Sequence, residues 1–173
     1  MARVYLGLGS NLGRREANIL QALEALARHG MTVCAVSPLY ETEPWGVVAQ
    51  PRFLNAACAI ETDQEPNALL DTLKTIEREL GRAPTIRNGP RVIDLDILLY
   101  DDLCLTTPRL TIPHPGLWQR ATALVPLADI APGLRHPCSG RTIAEHLARL
   151  GPTPDVAPYP PGLPQTKPPP TRG

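Results

Sequence analysis

Residues 89–100, GPRVIDLDILLY, combine an apolar run typical of a buried β-strand with two aspartates. Side chains of a strand alternate between the two faces of its sheet, so Asp94 and Asp96 are predicted to share one face. Their Cα atoms are then roughly 7 Å apart, close enough for the carboxylates to bind the same cations and to repel each other without them. The opposite, aliphatic side is predicted to face helices and consists of Ile93, Leu95, Ile97 and Leu99.

The strand alone leaves two interpretations of the aspartate pair open. Either the carboxylates cover a solvent-exposed sheet face, or they hold a hard cation. The preceding segment, RAPTIRNGPR at residues 82–91, contains Arg82, Arg87 and Arg91 and no acidic residue. Arginines beside metal-bound carboxylates suit a polyphosphate ligand, whereas a solvated loop is the alternative for such a charged segment.

The periodicity on either side of this strand predicts the order β-α-β-β-α-β. Strands are predicted at residues 3–8, 31–37, 54–61 and 92–100, with one helix following Ser10-Asn11 and another beginning at Pro66. Residues 38–53 are predicted to form a long loop, and a capping box at Thr142 predicts an extra C-terminal helix over 143–150. The order is typical of an α+β, ferredoxin-like fold, in which an antiparallel sheet carries its helices on one face.

The composition limits the number of domains and the kinds of partner. With 173 residues and 43% hydrophobic content, we expect one domain over residues 1–150, followed by an extended, largely disordered proline-rich tail at 151–173. Basic and acidic residues both number 17, which argues against nucleic-acid or anionic membrane partners. The widely spaced cysteines are expected to be free thiols, and the chain is expected to be a cytoplasmic monomer.

Several motifs together resemble the 6-hydroxymethyl-7,8-dihydropterin pyrophosphokinase family. The G-P-R-x-x-D-L-D-I motif is the most specific, and the resemblance extends over residues 1–150. The other matching segments are GSNLG at 9–13, YETEPWG at 40–46, QPRFLNA at 50–56, RLTIPHP at 109–115 and VPLADIAPGL at 125–134. The resemblance implies transfer of pyrophosphate from ATP to the hydroxymethyl oxygen of the pterin, with release of AMP, in folate biosynthesis.

The resemblance also implies a role for individual residues. Two Mg²⁺ ions would be held by Asp94 and Asp96, which with Arg82 and Arg91 form the implied catalytic group. ATP would be bound by Glu77, Arg82, Arg91, Ile97, Arg109, Thr111, His114 and Arg120. The pterin would be bound by Thr42, Pro44, Trp45, Gly46, Phe53, Asn55 and Asp94.

One position departs from the family pattern. Thr122 stands where the family commonly has an aromatic residue stacking on the second face of the pterin, and Trp45 and Trp118 are open as alternative occupants of that space. A pyrophosphokinase with a different pterin-like acceptor is therefore one alternative function. A non-catalytic, ferredoxin-like nucleotide-binding module is the other.

Overall fold

A computed structural model describes residues 1–44, 49–83 and 89–159 of the chain. The strands are β1 (Ala2–Ser10), β2 (Thr32–Val36), β3 (Tyr40–Thr42), β4 (Phe53–Thr62), β5 (Asp94–Tyr100), β6 (Leu105–Thr106), β7 (Thr111–Ile112) and β8 (Val156–Pro158). The α-helices are α1 (Arg15–Arg28), α2 (Pro66–Glu79), α3 (Ala121–Ile130) and α4 (Ile143–Leu150), and a 3-10 helix covers Leu117–Gln119. Within the described ranges, no helix is both long and apolar enough to cross a bilayer.

The main sheet is antiparallel in all its pairings, as predicted. Its order is β5-β1-β4-β3-β8, and β2 pairs with β4 beside β3. Strand β3 lies inside the segment that the sequence predicts to be a loop. Strands β6 and β7 form a separate two-stranded sheet. Helix α4 begins where the capping box predicts, because the Thr142 hydroxyl accepts a hydrogen bond from the Glu145 backbone N–H at 3.1 Å.

Helices pack on both faces of the sheet: α1 and α2, the two helices of the predicted β-α-β-β-α-β unit, share one face as expected, and α3 and α4 lie on the other. One core lies under α1 and α2 and includes Leu6, Ile19, Leu26, Leu73, Leu95 and Ile97. The other lies under α3 and α4 and includes Ala57, Leu98, Leu124, Leu127 and Ile143. Helix α3 has no counterpart in the predicted elements because Pro126 interrupts it, and an interior proline costs a helix roughly 3 kcal/mol. Burial of its leucines, both fully inaccessible to solvent, offsets that cost.

A β-bulge changes the face on which Leu99 lies. Tyr5 pairs with Leu99, whereas the next residue of β1 pairs with Ile97, so Leu98 is the extra residue of the bulge. The alternation is interrupted there, and Leu98 and Leu99 both pack in the core under α3 and α4. The prediction that Leu99 shares the face of Ile97 is therefore wrong, because periodicity within one strand does not reveal a bulge in its pairing.

Part of the predicted tail belongs to the sheet. Strand β8 pairs with β3, with Val156 opposite Thr42, and the Tyr159 backbone N–H donates to the Leu39 carbonyl at 3.0 Å. The Arg15 guanidinium lies 5.5 Å from the centre of the Tyr159 ring. Proline is tolerated in such an edge strand, so a proline-rich composition did not prevent pairing. The predicted disorder therefore does not describe residues 156–158, and residues 160–173 lie outside the described ranges.

The cysteines differ from the sequence prediction in one pair. Cys104 and Cys138 form a disulfide, with Cα atoms 6.5 Å apart, so the expectation of free thiols is wrong for these two. The two cysteines are 34 residues apart, and such a spacing does not predict a disulfide. The fold brings the two loops that carry them together. Cys34 and Cys58 are free, and burial raises the pKa of the Cys58 thiol to about 12.

Candidate active site

The two aspartates lie at the start of β5, opposite glycines of β1. Asp94 pairs with Gly9 and Asp96 with Gly7, so no side chain of β1 covers the carboxylates from these positions. Gly9 also pairs with Asn55 of β4, and a Cβ atom at Gly9 would lie 2.9 Å from the Asn55 Oδ1 atom. The glycine thus lets the Asn55 amide lie directly over the backbone of β1.

An acidic and basic cluster surrounds Asp94. The Arg82 Nη1 atom lies 3.0 Å from Asp94 Oδ1, and the same guanidinium group forms an ion pair with Glu77. The Arg91 Nε atom is 3.5 Å from Asp94 Oδ2; it is buried and makes no hydrogen bond within the described ranges. Glu77 is itself buried and accepts a hydrogen bond from the Leu95 backbone N–H at 3.0 Å. Asp94 is therefore paired with two arginines, Arg82 at one carboxylate oxygen and Arg91 at the other.

The pKa values of two carboxyl groups are raised, because the site is partly desolvated and negative charges lie close together in it. Burial, followed by the charges of Asp94 and Glu77, raises the pKa of Asp96. Burial also raises the pKa of Glu77, although the Arg82 guanidinium opposes the shift. A cation at the aspartates would relieve this repulsion, so the electrostatics fit a site for positive charge.

Three adjoining cavities meet at Asp96. The central cavity is lined by eight of the predicted site residues, namely Thr42, Phe53, Asn55, Arg91, Asp94, Asp96, His114 and Arg120. A second cavity is lined by Glu77, Arg82, Asp94 and Asp96, together with Lys74 and Arg78. A third is lined by Asp96, Ile97, Arg109, Thr111 and His114. The fold thus brings residues from sequence positions 42 to 120 to one continuous surface around the carboxylate pair.

The central cavity has an aromatic and amide-bearing wall. Phe53 is mostly buried, and the Arg91 guanidinium lies 4.9 Å from the centre of its ring. The Asn55 amide donates a hydrogen bond to the Thr42 hydroxyl. Thr122 also lines this cavity. A flat, polar ring can stack on Phe53 while its polar edge meets the amide and the hydroxyl group.

Trp118 does not fill the space beside Thr122. Its ring centroid lies 3.3 Å from that of His136 and 3.9 Å from that of His146, away from the residues that line the central cavity. Trp45 and Gly46 lie outside the described residues, as does Arg87. Pro44 is described but is not among the described residues that line the central cavity.

His114 and Arg120 are positioned by backbone geometry. The His114 backbone N–H donates to the Leu98 carbonyl at 2.9 Å, and its Nδ1 atom accepts from the Gly116 backbone N–H at 3.1 Å. The Nε2 atom therefore carries the ring proton, and burial, followed by the Arg120 charge, lowers the pKa of His114. A Cβ atom at Gly116 would lie 2.7 Å from Arg120 Nε, so a larger residue at position 116 would displace the arginine side chain from its present position.

Two kinds of residue around the site were not identified from the sequence. Lys74 lines the second cavity one turn before Glu77 and Arg78, and its helical spacing from Glu77 was the available signal. Asn11 lies in the GSNLG segment, directly before the first predicted helix. Its buried side chain bonds to two distant segments, and no local pattern reveals that.

The combination of an acidic pair, converging arginines and a neutral histidine on an antiparallel α/β scaffold can bind and transfer phosphate groups. A sequence model of the family described as 7,8-dihydro-6-hydroxymethylpterin-pyrophosphokinase matches residues 5–132. The 2-amino-4-hydroxy-6-hydroxymethyldihydropteridine pyrophosphokinase of Methylorubrum extorquens is 47% identical over 154 residues, which cover 88% of this chain and 96% of that protein. The protein of the same name from Pseudomonas aeruginosa is 49% identical over 147 residues, covering 84% and 90% of the two chains.

The chain belongs to the 7,8-dihydro-6-hydroxymethylpterin pyrophosphokinase family. Its function is accordingly ATP-dependent pyrophosphate transfer in folate biosynthesis. A crystal structure of wild-type Plasmodium falciparum HPPK-DHPS with pteroate matches the fold with a TM-score of 0.70 at 17% identity, covering 86% of this chain and 42% of that one. That match supports the architecture, and the chain spans less than half of that structure.

Proposed function

We propose that the surface around Asp94 and Asp96 transfers the β- and γ-phosphates of ATP together to the hydroxymethyl oxygen of 6-hydroxymethyl-7,8-dihydropterin. The observation that carries the proposal is the convergence of the three cavities on this carboxylate pair. In the reaction, the hydroxyl oxygen bonds to the β-phosphorus, the bond from that phosphorus to the bridging oxygen of the α-phosphate breaks, and AMP leaves. The hydroxyl proton is released.

Asp94 and Asp96 suit the role of ligands for two Mg²⁺ ions. Mg²⁺ commonly takes one or two carboxylates and completes its shell with phosphate oxygens and water, and Asp94 and Asp96 offer such a pair of carboxylates. When bound, the ions supply charge neutralisation of the phosphates and polarisation at the β-phosphorus.

The chain's own residues divide between the two substrates. Arg82 and Arg91 lie beside the carboxylates, where guanidinium groups can neutralise charge on the transferring phosphates. The neutral His114 can donate its Nε2 proton to a phosphate oxygen, and Arg109, Thr111, Ile97 and Arg120 complete the nucleotide side. Phe53, Asn55 and Thr42 form the pterin side, to which Pro44, Trp45 and Gly46 are also assigned.

We also infer that the scaffold is ferredoxin-like. The succession β1-α1-β2-β4-α2-β5 and the order β5-β1-β4-β2 support this assignment, with β3, β8, α3 and α4 as additions. The chain has equal numbers of basic and acidic residues, which supports the proposal that it does not act on nucleic acid or membranes. We also propose that the protein is cytoplasmic and monomeric. Light scattering during size-exclusion chromatography would test the monomer.

The experiment that tests the reaction follows the fate of ATP. Purified protein is supplied with MgATP and the pterin, and the products are separated by anion-exchange chromatography. We expect AMP and a pterin diphosphate in equal amounts, together with loss of product formation in Asp96→Asn. The matched control is Asp102→Asn, because Asp102 is an exposed carboxylate just after β5. Release of ADP, or full activity of Asp96→Asn, would contradict the proposal.

A second acceptor remains a candidate because Thr122, and not an aromatic side chain, lines the central cavity. The same assay with other hydroxymethylated pteridines shows whether 6-hydroxymethyl-7,8-dihydropterin or a different pterin-like compound is the preferred acceptor. Faster AMP release with another acceptor than with 6-hydroxymethyl-7,8-dihydropterin would favour the alternative.

A further inference from the structure

We propose that Cys104 and Cys138 form a thiol–disulfide exchange site, at which reduction by a dithiol weakens the binding of ATP and oxidation restores it. The inference rests on the proposed function, which assigns Arg109, Thr111 and His114 to the nucleotide side. Both cysteines are exposed to solvent in their disulfide-bonded state. An exposed disulfide is accessible to an attacking thiolate, and disulfides of this kind are commonly regulatory.

The disulfide closes a ring of chain that carries part of the nucleotide side of the site. Four residues proposed to bind ATP lie within this ring, namely Arg109, Thr111, His114 and Arg120. The residues of the pterin side that line the central cavity with Phe53 lie outside the ring, namely Thr42 and Asn55. A change at the disulfide is therefore expected to affect nucleotide binding more than pterin binding.

One end of the disulfide lies in a small arm, residues 103–113, that contains β6 and β7. These strands form a separate sheet with a register of two residue pairs, and a two-stranded sheet is only marginally stable by itself. The apolar side chains of the arm pack partly buried on the core under α1 and α2, and Arg109 forms an exposed ion pair with Asp71. Because Arg109 and Thr111 line the third cavity, the order of this arm determines the shape of that cavity.

The other end of the disulfide lies in a turn with its own network of hydrogen bonds. His136 is 3% exposed, and its Nδ1 atom accepts from the backbone N–H groups of Cys138 at 3.0 Å and Ser139 at 3.2 Å. The His136 backbone N–H donates to the Arg141 carbonyl at 2.9 Å. The turn leads into α4, where Ile143 is fully buried. Breaking the disulfide is therefore expected to leave this turn in place and to loosen the arm.

The exchange reaction takes its electrons from the dithiol. A thiolate of the dithiol attacks one sulfur, the bond between the two cysteines breaks, and the departing cysteine takes up a proton. The second thiolate then attacks the mixed disulfide and releases the other cysteine, which also takes up a proton. The protein gains two electrons and two protons, and the dithiol becomes a disulfide. Disulfides in the cytoplasm, where we propose that this protein acts, are usually transient and redox-sensing.

The direction of the effect follows from the entropy of the arm. In the oxidised chain the disulfide restricts the arm before ATP binds, so less conformational freedom is lost on binding. In the reduced chain the nucleotide itself must order the arm. We expect reduction to weaken nucleotide binding by about three- to tenfold, because an arm of this size contributes only part of the site.

The test compares the two redox states of the full chain by calorimetry. Samples are equilibrated with oxidised glutathione or with dithiothreitol, the reagents are removed under nitrogen, and alkylation with peptide mass mapping identifies the free thiols. The dissociation constant of a non-hydrolysable ATP analogue with Mg²⁺ is then measured, and that of the pterin is measured separately. We expect the weaker nucleotide binding only after reduction, recovery on reoxidation, and a change of less than about twofold for the pterin.

Variants identify the cysteines responsible. The double variant Cys104→Ser with Cys138→Ser is expected to bind the analogue like the reduced wild type in both conditions. The matched control is Cys34→Ser, because Cys34 is a free cysteine outside the disulfide. It is expected to keep the full response to reduction and oxidation.

The outcomes separate this inference from the proposed function. If neither redox state binds the analogue, the proposed function fails. If both states bind it equally, if reduction weakens pterin binding as much, or if mapping finds Cys104 and Cys138 free after oxidation, the exchange site is wrong while the function stands. Unfolding of the reduced wild type, seen by circular dichroism, would show a structural crosslink and would also overturn the inference. If the double variant does not fold, the two redox states of the wild type decide the matter.

Discussion

Truncating the chain before β8 is expected to weaken the pterin side of the site, whereas truncating it after Tyr159 is not. Strand β8 pairs with β3, and β3 ends at Thr42, which lines the central cavity. A chain ending at residue 155 loses this strand, while a chain ending at residue 159 retains every described residue. The pair of truncations therefore separates the strand from the segment that follows it.

The magnitude follows from the contacts that are removed. Strand β8 has a three-residue register with β3, and the Tyr159 backbone adds a hydrogen bond to Leu39. Two to three net backbone hydrogen bonds at about 1 kcal/mol each give roughly 2–3 kcal/mol of stability. In a domain of this size, that corresponds to a fall in Tm of about 4–12 °C.

The assay combines thermal unfolding with steady-state kinetics. We expect the chain ending at 155 to melt at the lower temperature and to show a raised KM for the pterin, with a smaller change in the KM for ATP. The chain ending at 159 is expected to match the full-length protein in both measurements. The reasoning is refuted if the two truncated chains melt within about 1 °C of each other, or if the KM values for both substrates rise equally.

Three further predictions concern single side chains. Asp96→Asn is expected to abolish AMP release while raising Tm of the metal-free protein, because it removes a half-buried carboxyl group whose ionised form is repelled by Asp94; an unchanged or lower Tm with retained turnover would contradict this. Thr122→Phe is expected to tighten pterin binding by about 0.5–1.5 kcal/mol in calorimetry with the ATP analogue present, whereas Thr122→Val is not, and equal or weaker binding by the phenylalanine variant would show that the second ring face is already covered. Burial and the neighbouring His146 lower the pKa of His136 to about 4, so the unfolded chain binds a proton first as the pH falls. Stability measured by urea unfolding is therefore expected to be full above about pH 6.5 and to fall by about 1 to 2 kcal/mol by pH 5, and His136→Asn should flatten that slope.

Hydrophobic periodicity predicted most of the central sheet and its first two helices, because these elements bury one regular face. Periodicity failed to predict two elements, α3 and β8, whose tertiary contacts outweigh the preference of their local sequence. Pro126 obscured α3, whose burial against the sheet compensates for the proline. The composition of the last segment obscured β8, since edge pairing through backbone groups does not require an apolar sequence.

In the candidate site, too, the sequence indicated some residues and missed others whose role depends on contacts made only in the fold. Most of the residues that the resemblance selected line the three cavities around Asp96, and their assigned roles in binding and catalysis stay predictions. Asn11 was not selected, because its partners lie 39, 40 and 80 residues away. The neutral state of His114 likewise depends on burial and on a neighbouring backbone N–H, neither of which a sequence motif specifies.

Strand β5 is the outermost strand at its end of the sheet, and such edges invite pairing with another chain. Here the free edge is guarded by residues of the site: the Glu77 carboxylate accepts from the Leu95 N–H, and the His114 backbone N–H donates to the Leu98 carbonyl. Glu77 and His114, which are both proposed to bind the nucleotide, thus cover backbone groups of β5 that would otherwise be open to pairing with another strand. Substitutions at Glu77 are consequently expected to reduce solubility during expression as well as turnover, so an inactive variant at this position needs its aggregation state measured before its catalytic role is judged.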